Sequence, residues 1–283
     1  MAELAPPALF ALVAWWLSTG AIFFFNGLSR WTHRWSLCLV TMLAALSLWG
    51  LYALADVASP AAAYLAFVFA LAVWGAHEMA FLLGSITGPV RTPCPPQVSG
   101  SRRFLLATGS VIYHELALAV TLIVIAGLTR GGSNRVGFWT FVVLWVMRLS
   151  AKFNLYLGVR NVTHELMPEH MRYLSTYFGK PDRNPLMPAS VLGALGAVLW
   201  LGSVAVAARG DSFVATGTML VATLLALALL EHLFLAFPVR DAVLWQWAID
   251  LPEASDSDTT GEIVALPDEV TLPPSAEPRA AQL

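Results

Sequence analysis

Charge is what these 283 residues have least of: Asp, Glu, Lys and Arg make up 12% of the chain, against 58% hydrophobic residues and a mean hydropathy of +0.68. A soluble domain carries about 25% charged residues, so a water-solvated globular fold is excluded. Cysteine is nearly absent. Cys38 in an apolar run and Cys94 in a stiff TPCPP loop make neither a CxxC motif nor a disulfide framework. Also missing are HExxH, HxxxH and ExxH, the spacings by which one helix presents two ligands to a metal. A phosphate loop, a hydrolase triad and a nucleotide fold find no support either. No cleavable leader is expected, because Glu3 stands where a basic region belongs and no small-residue cleavage site follows the first apolar run.

What the chain does have is apolar length. Seven segments long enough to span a bilayer lie at 8–28, 36–55, 61–84, 105–128, 137–159, 189–208 and 213–237. The fold class is therefore an all-α polytopic membrane protein, with residues 1–237 as its transmembrane domain. After Pro238, VRDAVLWQWAID reads as a short amphipathic helix in the membrane interface, residues 238–250. From Leu251 onward seven acids stand against Arg279, and this Pro-rich stretch, 251–283, reads as a disordered acidic tail. Its balance of −6 leaves +4 for the rest of a chain whose net charge is −2. The sixth span carries Ala189, Gly193 and Ala197 at four-residue spacing, a face suited to close helix packing. Trp31, Trp35, Trp139, Trp245 and Trp247 lie near span ends, where interfacial anchors belong.

The basic residues alternate with the loops. Arg30, Arg34, Arg91, Arg102, Arg103, Arg160, Arg172, Lys180, Arg183 and Arg240 fall on one side, and only Arg130, Arg135 and Arg209 on the other. The positive-inside rule then puts the N-terminus outside and the C-terminus in the cytoplasm. Lying beside membrane helices, these residues are accounted for by topology, and no nucleic-acid partner is expected.

The most informative charges are those inside the spans. Arg148, Lys152, Tyr156 and Arg160 follow at i+4 and form one polar stripe, with Asn154 nearby. A cation at the membrane centre costs about 2.5–3.5 kcal/mol on insertion scales, so each needs a partner or a wet cavity. Five of the six histidines adjoin a glutamate: His77-Glu78, His114-Glu115, His164-Glu165, Glu169-His170 and Glu231-His232. At 1.5 Å per residue, His77, His114, Arg148, Lys152 and Glu231 all lie about 9–16 Å from the cytoplasmic ends of their spans. The third, fourth, fifth and seventh helices are thus expected to bring His77, Glu78, His114, Glu115, Arg148, Lys152, Asn154, Glu231 and His232 together in the cytoplasmic half.

Three readings of this cluster stand side by side. It could be a structural network in which Glu78, Glu115 and Glu231 neutralise Arg148 and Lys152. It could be a metal site, since imidazole and carboxylate from His77, Glu78, His114, Glu115, Glu231 and His232 suit non-haem Fe or Zn. Or a buried neutral imidazole among them could ligate the Mg of a chlorin such as bacteriochlorophyll. Adjacent residues diverge by about 100° on a helix, which opposes both members of a His–Glu pair facing one ligand. The cluster is confined to one half of the membrane, so it does not describe a transport pathway. The loop residues His164, Glu165, Glu169 and His170, around the helix-breaking Pro168, read as a solvated cytoplasmic docking surface.

The segments WGAHEMAFLLG, IYHELALA, SAKFNLYLGVRN, LMPEHMRYLSTYFGKPDRNPLMP and EHLFLAFPVRDAVLWQWA resemble the photosynthetic complex assembly protein 2 family, the PuhE type of purple photosynthetic bacteria. The resemblance covers nearly all of the membrane portion and leaves out the acidic tail. It implies a multi-pass factor of the bacterial inner (cytoplasmic or intracytoplasmic photosynthetic) membrane. Its implied partners are reaction-centre and core light-harvesting subunits or other assembly factors, and its implied role is their assembly or the matching of bacteriochlorophyll supply to them. No catalytic residue carries over from the family. The alternative from the residues themselves is a membrane oxidoreductase with a His/Glu metal centre acting on a pigment precursor.

The charge asymmetry makes a direct prediction about orientation. An alkaline phosphatase fused after Ser255 should be inactive, because the loop count puts that point in the cytoplasm. Strong periplasmic activity there would overturn the assigned orientation.

Overall fold

A bilayer offers the backbone no hydrogen-bonding partner, so each apolar run must close its own peptide bonds as helix. In the computed structural model, which describes residues 3–162, 167–180, 184–239 and 241–249, they do so. The seven helices long and apolar enough to cross a membrane begin as α1 (Ala5–Gly27), α2 (His33–Ala53), α3 (Pro60–Leu82) and α4 (Gly100–Leu128). They continue as α5 (Val136–Leu157), α6 (Leu186–Ala207) and α7 (Ser212–Ala236). The protein is therefore an all-helical, multi-pass membrane protein. Local chemistry sets several of the boundaries. Ser59 caps α3 by accepting from the Ala62 N–H at 3.2 Å with Pro60 following, and Asp211 accepts from the Phe213 and Val214 N–H groups at 3.1 Å. Gly158, at φ +117°, ends α5 in a conformation that disfavours a side chain. There the backbone of Gly179 and Lys180 passes so close that no Cβ fits.

The centre of the bundle is α3. Its small residues Ala62, Ala63, Ala66 and Ala70 are buried, which lets α1, α2, α4, α5 and α7 all approach it. A core of Phe67, Trp74, Leu118, Ile125, Phe141, Leu220 and Leu224 forms around this helix. By contrast α6 packs on α7 through Ala194, Ala197 and Val198. Of the small face expected on α6 only Ala197 packs there: Ala189 and Gly193 are exposed, and a Cβ at Gly193 would meet nothing within 4 Å. One close approach that does need glycine is Gly88 against the backbone of Gly109. It allows the segment after α3 to lie along α4, where Thr87 O accepts from His114 N–H at 3.1 Å and Gly109 O from Val90 N–H at 3.2 Å.

Two expectations about segment boundaries are revised. The helix α4 starts at Gly100, five residues before hydropathy places the span, because Arg103 there finds acceptors in the carbonyls of Tyr156 (3.2 Å) and Tyr177 (2.6 Å). The segment after α7 does not take the form of one amphipathic interfacial helix. It forms a 3-10 turn at Asp241–Trp245 and a last turn, α8 (Gln246–Ile249), both packed on α1. Trp16 Nε1 donates to Leu244 O at 2.8 Å and Trp245 Nε1 to Trp16 O at 3.3 Å. Trp16 is eleven residues, about 16 Å, from the end of α1, so this segment turns back to mid-helix depth. Trp245, expected as an interfacial anchor, is 4% exposed against Trp15 and Phe23. The acidic tail, 251–283, lies outside the described residues.

Candidate functional site

Neighbours on a helix point about 100° apart, and this divergence sorts the His–Glu pairs. On α3, Glu78 turns toward α5, where Arg148 Nη2 donates to its Oε2 at 3.4 Å. His77 turns instead to α4, its Nε2 lying 2.9 Å from Thr121 Oγ1. On α4, His114 is fully buried beneath the Phe81 ring, with Nε2 3.8 Å from Glu78 Oε1. Glu115 faces α5, where it pairs with Lys152 and accepts from Trp145 Nε1 at 3.0 Å. The i+4 stripe on α5 therefore meets two carboxylates from two other helices. Such pairs mainly offset the cost of burying each charge, and breaking one leaves that cost uncompensated.

Of these side chains, Glu78, Phe81, Arg148 and Lys152 form part of the wall of a cavity of about 410 Å³. Arg148, Lys152 and Tyr156 line it together, with Glu78 from α3 and Glu231 from α7; Glu231 acts electrostatically on Arg148. The rest of the wall is largely apolar, from Trp15 and Phe23 on α1 to Trp74, Phe81 and Phe234. Trp245 of the returning segment closes one side. The Arg148 side chain is 45% accessible although α3, α5 and α7 pack around this centre, and since Arg148 lines the cavity, that accessible surface faces into it.

The remaining polar residues are engaged elsewhere. His232 donates from Nδ1 to Ala228 O at 2.9 Å, which leaves Nε2 to accept from Ser150 Oγ at 3.0 Å. Asn154, fully buried, donates to Ser150 O and Ser190 Oγ and accepts from Asn184 Nδ2 at 3.0 Å. Asn184 in turn caps α6 through Leu186 N–H at 3.1 Å. The six residues weighed as metal or pigment ligands thus do not converge. Among the described residues, no three His, Cys, Asp or Glu side chains are placed to hold a metal ion, and no histidine lines the cavity. A metal centre of three such ligands has no place among the described side chains, whereas buried His114 keeps both ring nitrogens without a hydrogen-bond partner.

The loop between α5 and α6, expected as a solvated docking surface, is only partly solvated. Glu169 and His170 are exposed, whereas His164 and Glu165 lie outside the described residues. The 3-10 helix Glu169–Tyr177 buries Met171, Leu174 and Tyr177, the first two against Phe81, and floors the cavity. Tyr177 donates to Thr92 O at 3.0 Å. Burial, with smaller contributions from Cys94 and Tyr173, pushes its phenol above the ordinary range, so it remains a neutral donor at pH 7.

A family profile described as "Protein of unknown function (DUF3623)" matches residues 1–256. The chain belongs to the DUF3623 family. It is 37% identical over 268 residues to the "Uncharacterized 30.4 kDa protein in puhA 5'region" of Rhodobacter capsulatus, covering 91% of this chain and 94% of that one. No solved structure matches.

Membership in DUF3623 carries no residue roles, so the site of this family member rests on the geometry above. Sequence reasoning counted Arg103 only as a loop charge and did not single out Asn184. The only available signal was their place beside helix ends, where carbonyl and N–H groups lack partners. The network around Asn154 gives a prediction. Asn154→Ala should cost about 1–3 kcal/mol by leaving buried partners unsatisfied, read as a lower unfolding midpoint in detergent. A chelator should leave the wild-type midpoint unchanged; a chelator-induced drop would reveal a metal that this side-chain arrangement does not accommodate.

Proposed function

We propose that this DUF3623 member is an integral factor of the bacterial inner membrane that serves the assembly of photosynthetic reaction-centre and core light-harvesting complexes, or matches bacteriochlorophyll supply to them. The observation that carries this reading is the relative whose name puts it in the puhA 5′ region, a photosynthesis-gene region. Identity of 37% across nearly the whole of both chains supports extending that context to this protein. The architecture is compatible with it. The polar groups turn inward to an internal cavity, while α2 leaves Trp35, Met42, Leu46 and Trp49 exposed, a surface for lipid or for subunits of a membrane complex.

The competing reading, a metal-dependent oxidoreductase, has no specific observation in its favour. Of its candidate ligands, His77, His232, Glu78 and Glu115 are engaged by Thr121, Ser150, Arg148 and Lys152.

Deleting the gene is expected to lower the membrane absorption of the core complexes or of bacteriochlorophyll under photosynthetic growth, with transcripts for the reaction-centre subunits unchanged. Wild-type spectra and complex yields in the deletion strain would end the assignment.

A further inference from the structure

The turn between α1 and α2 carries the only formal charges of a long stretch of the chain. From Leu4 to Ala55 there is no Asp or Glu, and Arg30 and Arg34 are the only Lys or Arg residues. They belong to a short repeat, RWTHRW, in which an Arg–Trp pair recurs after four residues. Successive hydrogen bonds wind this turn as a lead-in to α2. Ser29 O accepts from Thr32 N–H at 3.0 Å, Arg30 O from His33 N–H at 3.3 Å and Thr32 O from Trp35 N–H at 2.9 Å. Arg34 thus follows Arg30, and Trp35 follows Trp31, about one turn later. His33 Nε2, 2.8 Å from Leu28 O, ties the turn to the end of α1. So held, the turn leaves Arg30, Trp31, Arg34 and Trp35 exposed, the two indoles at 69% and 61%.

Both guanidiniums lack an anion. The ion pairs among the described residues involve neither Arg30 nor Arg34. Arg34 lies over the Trp35 ring, its Cζ 5.3 Å from the ring centre, a contact that holds the guanidinium in place without using its N–H donors. Since α1 and α2 are both long and apolar enough to cross a membrane, the turn that joins them sits at the level of lipid headgroups. The anionic group at that level is a phosphate, whose oxygens match the donor fork of Arg. Exposed indoles suit the ester layer beside it. Topology alone asks only for positive charge; it requires neither the Arg–Trp repeat nor the lack of acids around it. We propose that the α1–α2 turn binds the headgroup of an anionic phospholipid, its phosphate between Arg30 and Arg34 and its glycerol esters against Trp31 and Trp35. This inference is independent of the photosynthetic assignment, since it uses only the turn and its charges.

The test uses the full chain, delipidated in a neutral detergent and offered equal amounts of phosphatidylglycerol and phosphatidylcholine. Native mass spectrometry then counts the lipid that each protein molecule retains. The first lipid retained is expected to be phosphatidylglycerol, preferred about tenfold, the effect of one charge-assisted hydrogen bond. Arg30→Gln combined with Arg34→Gln should bring the two lipids to near parity. Arg102→Gln combined with Arg172→Gln removes the same charge from exposed positions elsewhere and should leave the preference intact. Should the first double variant fail to fold, Arg30→Lys with Arg34→Lys keeps the charge but loses the planar fork, and should weaken the preference by about threefold. No preference in the wild type, a preference that survives Arg30→Gln/Arg34→Gln, or an equal loss in the Arg102/Arg172 variant would each overturn the proposal. So would an unchanged preference in the folded double-Lys variant, or displacement of the lipid by an equal concentration of inorganic phosphate, which would show recognition of a free anion.

Discussion

Two cations on one stripe of a membrane-spanning helix set the terms for this structure. Arg148 and Lys152 can be buried only if other helices deliver carboxylates to them, and α3 and α4 do so with Glu78 and Glu115. The requirement fixes more than a pair of contacts. It sets the rotation of α3, whose Glu78 must face α5, and hence places His77 toward α4. It also sets the register of α4 against α5, with Trp145 and Lys152 reaching the two oxygens of one carboxylate. Long side chains meeting across helices hold this half of the bundle apart where alanines close it elsewhere, and the cavity is the space that results.

A largely apolar cavity with charged groups in its wall has to be closed without stranding backbone groups. Two irregular segments do this. Below, the 3-10 helix Glu169–Tyr177 packs Met171 and Leu174 on Phe81, and Arg103 fixes its end by taking the Tyr177 carbonyl. At the side, the chain after α7 returns against α1, where the Trp16 and Trp245 indoles exchange hydrogen bonds with each other's segment. Gly20, lacking a side chain, leaves room for the Trp247 ring beside them. In both segments a helix side chain takes a carbonyl of the irregular backbone, Arg103 that of Tyr177 and Trp16 that of Leu244.

How much of this was legible follows from what each signal measures. Hydropathy and length identified seven spans to within a few residues, since spanning is a local property of composition. The common depth of the ionisable residues was legible too, because helical rise converts sequence position to height. Which carboxylate meets which cation was not, because that depends on the rotation of each helix about its axis, which only packing decides. The 100° divergence of adjacent residues did foreshadow that His77 and Glu78 would part. The expectation for Trp245 failed for a different reason. A Trp near a span end is usually an interfacial anchor, but here the partner that buries it, Trp15, lies some 230 residues earlier in the chain, and no local pattern encodes that.

The central claim is that Lys152 and Glu115 hold α5 to α4 as a coupled pair. A double-mutant cycle with Lys152→Met and Glu115→Gln, measured by thermal unfolding in detergent, tests it most directly, since glutamine keeps the acceptor for Trp145 while removing the charge. The account predicts a coupling of about 1–3 kcal/mol, with the double variant recovering much of the stability that Lys152→Met alone loses. Additivity within about 0.5 kcal/mol, the behaviour of residues that do not touch, would contradict it.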